Sequence, residues 1–188
     1  MRLFTALVPP ADVLEHLDDF LDVRRAAADL RWSRPENLHV TLAFAADVEE
    51  WRVDEVLERT AAAAARRTPF TTRVAGGGAF PHPDAAQVLW AGLALDEPTG
   101  AELEALARGA RAAVATAGAA VDGTRFRPHL TVARAGRPRQ LSDWVRLLDA
   151  YEGPEWAVDE VAVVASHLGE GPRRRPRHEV LATAPLAG

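Results

Sequence analysis

The chain has 188 residues, a formal net charge of −5 and no cysteine. The acidic balance argues against a protein that coats long nucleic acids, although it leaves recognition of a single RNA end open. The lack of cysteine excludes a disulfide framework, a thiol nucleophile and a thiolate metal site. A chain of this length can bury roughly 70% of its unfolded surface, so one domain over residues 1–188 is expected.

The opening apolar run, residues 3–8, is shorter than the hydrophobic region of a signal peptide, and Pro9 and Pro10 end it. No later stretch approaches the roughly 18 apolar residues of a membrane helix. The sequence therefore predicts a cytoplasmic protein that does not bind membranes. Nothing in its patterning calls for a dimer, so we expect a monomer.

Apolar periodicity predicts the elements of the first half of the chain. They are a strand at residues 3–8, a helix opening at 9–12, a short strand at 30–33, a turn at 34–37 and a strand at 38–44. Asp47 with Glu50 has the spacing of a capping box, which predicts the start of a second helix there.

The second half repeats this order loosely. Its predicted elements are strands at residues 70–75 and 87–93 with a turn-rich loop at 76–83 between them, a helix capped by Thr99 and Glu102, a strand at 129–133, a helix at 142–150, and strands near 156–165 and 178–183. The repeated order predicts an α+β, bilobed and pseudo-duplicated fold. Two antiparallel sheets would face a central cleft, with the helices on the outside.

Two tetrapeptides share the pattern histidine, apolar residue, threonine, apolar residue: His39-Val40-Thr41-Leu42 and His129-Leu130-Thr131-Val132. Side chains alternate between the faces of a strand, so each histidine points the same way as the threonine two residues later. The motifs lie about half the chain apart, as expected for one per lobe. A single such histidine would be a satisfied core residue, but the repetition, with Arg-Pro upstream of each motif, favours catalysis.

Paired histidines and threonines are the groups that opening a cyclic phosphodiester requires. One imidazole can take a proton from water while the other gives a proton to the departing ribose oxygen. Threonine hydroxyls and an arginine can stabilise the charge that builds on the phosphate oxygens. The compact histidine spacing of a catalytic zinc site is missing, so we expect no metal site.

Segments throughout the chain carry a resemblance to a known family: residues 2–7, 32–42, 78–81, 88–92 and 126–134. The sequence resembles the two-histidine (2H) phosphoesterase superfamily, specifically its LigT/ThpR-like RNA 2',3'-cyclic phosphodiesterases. The resemblance implies a metal-independent enzyme that hydrolyses RNA 2',3'-cyclic phosphate ends to 2'-phosphates and uses no cofactor. It implies that His39 protonates the leaving 3'-oxygen and that His129 activates water, with Thr41, Thr131 and Arg134 binding the phosphate.

Three positions qualify this resemblance. Arg134 lies five residues after His129, and an ideal strand would turn it to the opposite face, so a bulge or strand end is expected. His178 stands where relatives often carry a tyrosine, and we predict that it binds substrate at the cleft edge with a smaller stacking platform. The arginine run at residues 173–177 is expected to be a solvated loop.

Two alternatives remain open at this stage. The chain could be a nucleotide- or RNA-end-binding module with little turnover, although both histidines and both threonines are present. It could also be another cyclic phosphodiesterase of the same superfamily, acting on a small nucleotide or an ADP-ribose cyclic phosphate.

Overall fold

The computed structural model describes residues 1–123, 125–171 and 176–188. In these ranges the α-helices are Ala11–Asp22 (α1), Val53–Ala64 (α2), Glu97–Thr116 (α3) and Ser142–Asp149 (α4). The strands are Arg2–Leu7 (β1), Arg31–Trp32 (β2), Val40–Ala45 (β3), Phe70–Phe80 (β4), Ala86–Leu93 (β5), Leu130–Arg139 (β6), Glu152–Val158 (β7), Glu160–His167 (β8) and Arg177–Pro185 (β9). Within the described residues, no helix combines the length and apolar character needed to cross a membrane.

The strands pair antiparallel in the order β7-β4-β5-β6-β3-β1-β8-β9, and β2 adds to β6. The central strands β3 and β6 meet at the pair Val40 and Leu130. Two halves of four strands are therefore joined edge to edge at this pair. The predicted α+β class with antiparallel sheets is confirmed, and its two sheets form one continuous series.

Each half of the sheet is covered by helices. Helices α2 and α3 pack against each other, with α3 on β3 and α2 on β9, while α1 packs on β7 and α4 on β4. The apolar residues of α1 recur at helical spacing, and Val13, Leu14, Leu17 and Leu21 are buried. Burying a leucine of this kind stabilises the fold by about 1.5–3 kcal/mol. The helices thus occupy the outer face of the sheet.

The loop predicted at residues 76–83 is wrong over most of its length, because β4 continues through the three glycines to Phe80. A Cβ on Gly77 would lie 2.4 Å from Leu148 Cβ, and one on Gly78 would lie 2.1 Å from the Trp90 ring. These glycines allow close approach of helix α4 and strand β5 and do not form a turn.

Both predicted capping boxes are also wrong. Helix α3 begins earlier, where the Asp96 side chain accepts a hydrogen bond from the Thr99 N–H at 2.9 Å. Thr99 therefore lies in the first turn. Helix α2 begins at Val53 after a short 3-10 turn and has no side-chain cap. Asp47 instead lies 3.6 Å from the amino group of Met1.

Candidate active site

A cleft of about 420 Å³ opens on the face of the sheet where β3 and β6 meet. All six residues predicted from the sequence line it: His39, Thr41, His129, Thr131, Arg134 and His178. Each of the two motif histidines lies immediately before its strand, because β3 begins at Val40 and β6 at Leu130. The expected strands at 38–44 and 129–133 therefore start slightly later.

The pair Val40 and Leu130 sets the relative position of the two motifs. Both side chains are fully buried on the core side of the sheet. Because the two strands run antiparallel, the residues on either side of this pair are matched as well. His39 comes beside Thr131, and Thr41 comes beside His129. The backbone position of each histidine thus lies beside that of the threonine in the other motif.

Both imidazoles are held by the same local hydrogen bond. Nδ1 of His39 donates to the carbonyl of Asn37 at 2.8 Å, and Nδ1 of His129 donates to the carbonyl of Arg127 at 2.7 Å. In each case the carbonyl belongs to the residue two positions earlier. The proton therefore resides on Nδ1 in the neutral rings, and Nε2 is the basic nitrogen of both.

Aromatic rings pack against both histidines. Phe4 stacks on His39 with ring centroids 4.5 Å apart and an interplanar angle of 21°. Phe80 meets the His129 ring edge-on at 5.0 Å, and Trp90 lies 6.0 Å from it. Sequence reasoning assigned no role to these aromatics, although all three fall in the segments that carry the family resemblance.

Burial lowers the pKa of the cleft histidines. Burial lowers the pKa of His39 to about 4, mainly because the charged ring would lose its hydration. The hydrogen bond to the Asn37 carbonyl acts to raise this pKa, and the charges of His178, His129 and Arg134 act to lower it. Desolvation also lowers the pKa of His129. Its hydrogen bond to the Arg127 carbonyl acts to raise this pKa, and the charge of Arg134 acts to lower it. Both shifts favour the neutral form of the imidazole.

A bulge in β6 turns Arg134 toward the cleft. Thr131 pairs with Trp90 while Ala133 pairs with Leu89, so β6 carries one extra residue at Val132. The extra residue reverses the alternation of faces and brings Arg134 to the same side as Thr131. The bulge expected from the sequence is therefore present.

Strand β3 carries a matching bulge. Thr41 pairs with Ala6 while Ala43 pairs with Thr5, which leaves Leu42 as the extra residue. The position that corresponds to Arg134 is Phe44, and Phe44 also lines the cleft. The two motifs therefore share their bulge but differ in the residue that follows it.

The lining of the cleft is strongly basic. Its described residues include the arginines Arg2, Arg31, Arg34 and Arg134 and contain no aspartate or glutamate. Arg31 and Arg134 are directly opposite each other on β2 and β6. Like charges placed opposite one another repel, so a bound anion would relieve the repulsion. Although the whole chain is acidic, this cleft is built for an anionic ligand.

His178 lies on the other side of His39 from the second motif. Its ring contacts Phe4 at 5.0 Å and His39 at 5.4 Å, edge-on in both cases. Burial lowers the pKa of His178 as well. This residue therefore forms part of the cleft wall and is less exposed than a surface histidine.

The predicted arginine run lies mainly outside the described residues, since positions 172–175 are not described. Arg177 is described, and its guanidinium pairs with Glu170 at 2.9 Å and with Glu179 at 3.3 Å. For metal ions, the described ranges of the chain contain no group of three or more histidine, cysteine or acidic side chains that could act as ligands.

Comparison with known families gives a match over most of the chain. Residues 9–170 match the model of the 2'-5' RNA ligase superfamily. The range includes both histidine motifs and ends before His178.

Characterised relatives and a solved structure agree with this match. An RNA 2',3'-cyclic phosphodiesterase of Archaeoglobus fulgidus is 31% identical over 89% of this chain and 92% of its own. An RNA 2',3'-cyclic phosphodiesterase of Geobacillus stearothermophilus is 30% identical over 84% of this chain, which spans only 48% of that relative's length. The fold is similar to that of E. coli LigT complexed with 3'-AMP, with a TM-score of 0.76 at 23% identity over 100% of this chain and 98% of that one.

Proposed function

Because the chain belongs to the 2'-5' RNA ligase superfamily, we propose that it hydrolyses RNA 2',3'-cyclic phosphate ends to 2'-phosphomonoesters without a metal ion. The observation that carries this proposal is the pair of histidines with identical Nδ1 anchors, each beside the threonine of the other motif. Relatives named RNA 2',3'-cyclic phosphodiesterase support it.

In this mechanism the two imidazoles divide the proton transfers. Nε2 of His129 takes a proton from water as the water oxygen attacks phosphorus. The bond from phosphorus to the 3'-oxygen breaks, and Nε2 of His39 delivers a proton to that oxygen. The products are a 2'-phosphate and a free 3'-hydroxyl. The negative charge of the bound phosphate raises the pKa of His39, which supplies the protonated form that the free cleft disfavours.

Three further side chains would stabilise the transition state. The hydroxyls of Thr41 and Thr131 donate to the non-bridging oxygens as charge builds on them, and Arg134 adds a guanidinium. The matching placement of the two threonines supports this division, since each lies beside one of the acid–base groups. His178 would bind the terminal nucleoside, because its ring borders the His39 side of the cleft.

We further propose a domain organisation, a cellular location and an oligomeric state for the enzyme. Residues 1–188 would act as one two-lobed domain, because both halves of the sheet contribute to the same cleft. We place it in the cytoplasm as a monomer, acting on RNA 2',3'-cyclic phosphate ends and on nucleoside 2',3'-cyclic phosphates.

Product analysis tests the reaction. An oligonucleotide ending in a 2',3'-cyclic phosphate is digested in the presence of EDTA, and the phosphate position is assigned by mass spectrometry and phosphatase sensitivity. A 2'-phosphate formed at the rate seen without EDTA is expected. A 3'-phosphate product would overturn the assignment of the leaving oxygen, and loss of activity in EDTA would overturn metal independence.

A further inference from the structure

Arg2 occupies the end of the cleft away from Arg134. It lies on β1 opposite Ser166 of β8, and Ser166 lies opposite His178 of β9. All three side chains line the cleft. They form a row across three strands, beyond Phe4 and the ring of His39.

Among the described residues, no carboxylate forms an ion pair with the Arg2 side chain, which instead packs on an aromatic ring. Its guanidinium lies over the Phe44 ring, 5.0 Å from the ring centroid. Nε of Arg2 is shielded from solvent and has no hydrogen-bond partner in the described part of the chain. A partly buried cation that lacks a counter-charge is costly, and a bound anion would offset this cost.

The matched bulges show what Arg2 adds to the cleft. In the second motif the residue after the bulge is itself an arginine, Arg134. In the first motif that position is Phe44, which carries Arg2 on its face. The position after the bulge therefore places a guanidinium in both halves of the cleft, directly as Arg134 in one and through Arg2 on Phe44 in the other.

Arg2 starts from a point on β1 beyond the residue that contacts His39. Phe4 contacts the His39 ring, and the Cα atom of Arg2 lies two residues further out, about 6–7 Å at the rise of a strand. With its guanidinium over the Phe44 ring, Arg2 can meet a phosphate other than the one between the histidines. A 2',3'-cyclic phosphate carries a single negative charge, so a lone nucleotide leaves Arg2 without an anion.

We propose that Arg2 and Ser166 form a second phosphate subsite, which binds the phosphodiester on the 5' side of the terminal nucleotide. The guanidinium would donate hydrogen bonds to two phosphate oxygens, and the Ser166 hydroxyl would donate to one of them. This inference rests on the proposed function and adds to it a reason for preferring an RNA end over a mononucleotide.

The test compares two substrates that differ in this phosphate, adenosine 2',3'-cyclic phosphate and the dinucleotide ApA ending in a 2',3'-cyclic phosphate. The wild-type protein should show a KM for the dinucleotide lower by roughly tenfold or more, as for hydrogen bonds to a charged group. Arg2→Met, which keeps the packing on Phe44, should abolish this preference, because it should lower kcat/KM for the dinucleotide much more than for the mononucleotide.

Two matched variants separate a local site from a general electrostatic effect. Arg31→Met removes another cleft arginine, and Arg137→Met removes an exposed arginine of β6 outside the cleft. Both should retain the dinucleotide preference. If Arg31→Met also lost the preference, the effect would come from the overall positive charge of the cleft. That result would overturn the subsite.

A measurement on the wild-type protein tests the subsite even if Arg2→Met does not fold. Adenosine 2',5'-bisphosphate should inhibit competitively at a concentration at least roughly tenfold lower than 2'-AMP, because only the former reaches Arg2. Equal inhibition by both, or no dinucleotide preference in the wild type, would overturn the subsite. An equal loss on both substrates in Arg2→Met would overturn it too, whereas failure of the wild type on both substrates would overturn the proposed function itself.

Discussion

Val40 and Leu130 face each other at the junction of β3 and β6, and both are fully buried in the core. This pair fixes the positions of the four polar residues of the two motifs. His39 and Thr41 flank Val40, and His129 and Thr131 flank Leu130. The positions of these groups therefore depend on a pair that is buried in the core of the sheet.

The pH dependence of hydrolysis should reflect the depressed pKa values of the cleft. The proposed mechanism requires one neutral and one protonated histidine, and burial lowers the pKa of His39 to about 4 and that of His129 below its ordinary value of 6.5. The protonated fraction falls as the pH rises through these values. The profile of kcat/KM should thus be bell-shaped with its maximum below pH 6.5.

Bound substrate should shift this profile. The phosphate anion raises both histidine pKa values, so the maximum of kcat should lie at higher pH than that of kcat/KM. Initial rates on adenosine 2',3'-cyclic phosphate across the acidic and alkaline range measure both profiles. An alkaline optimum for kcat/KM would be incompatible with the two-histidine mechanism.

The motif threonines should act through their hydroxyls. Thr41→Val and Thr131→Val keep the shape of the side chain but remove the donor, and each should lower kcat by roughly tenfold to a hundredfold or more. The corresponding serine variants should keep most of the activity. Thr116→Val, at the exposed end of α3, serves as the control. Valine variants as active as wild type would remove the hydroxyls from the mechanism.

His178 should affect binding more than turnover. Stacking of a base on an aromatic side chain contributes about 1–3 kcal/mol, so His178→Ala should raise KM by roughly fivefold or more with kcat nearly unchanged. His82→Ala, in an exposed turn, is the matched control. A large fall in kcat with constant KM would instead assign His178 to proton transfer.

Thr5 offers a test of the fold that is independent of activity. Its side chain is buried, and its hydroxyl has no hydrogen-bond partner among the described residues. Thr5→Val should raise the free energy of unfolding by about 1 kcal/mol and Tm by about 2–4 °C. Thr72→Val should do the opposite, because Thr72 Oγ1 donates to the Ala94 carbonyl at 2.7 Å. A lower Tm for Thr5→Val would reveal a partner for its hydroxyl.

The sequence was sufficient to predict six of the residues that line the cleft, because strand alternation and the repeated motif are local properties. A bulge or a strand end was expected near Arg134, since an unbroken strand would turn this side chain away, and the structure has the bulge. The helices were recognisable because their apolar faces recur at helical spacing.

Other features depend on distant contacts and could not be predicted from local sequence. Gly77 and Gly78 are turn formers in isolation, yet they lie in a strand because Leu148 and Trp90 approach them closely. Phe44 and Arg2 form a unit only after β1 and β3 pair. The carbonyl anchors of His39 and His129 depend on the backbone path before each strand, which no residue pattern specifies.

The most direct test of the two-histidine account is turnover of adenosine 2',3'-cyclic phosphate by His39→Ala, His129→Ala and the double variant, with folding checked by circular dichroism. Each single variant should lose roughly a hundredfold or more in kcat with its fold intact. The double variant should lose little beyond the worse single variant, because the two groups act in one step. Wild-type activity in the double variant would contradict the account.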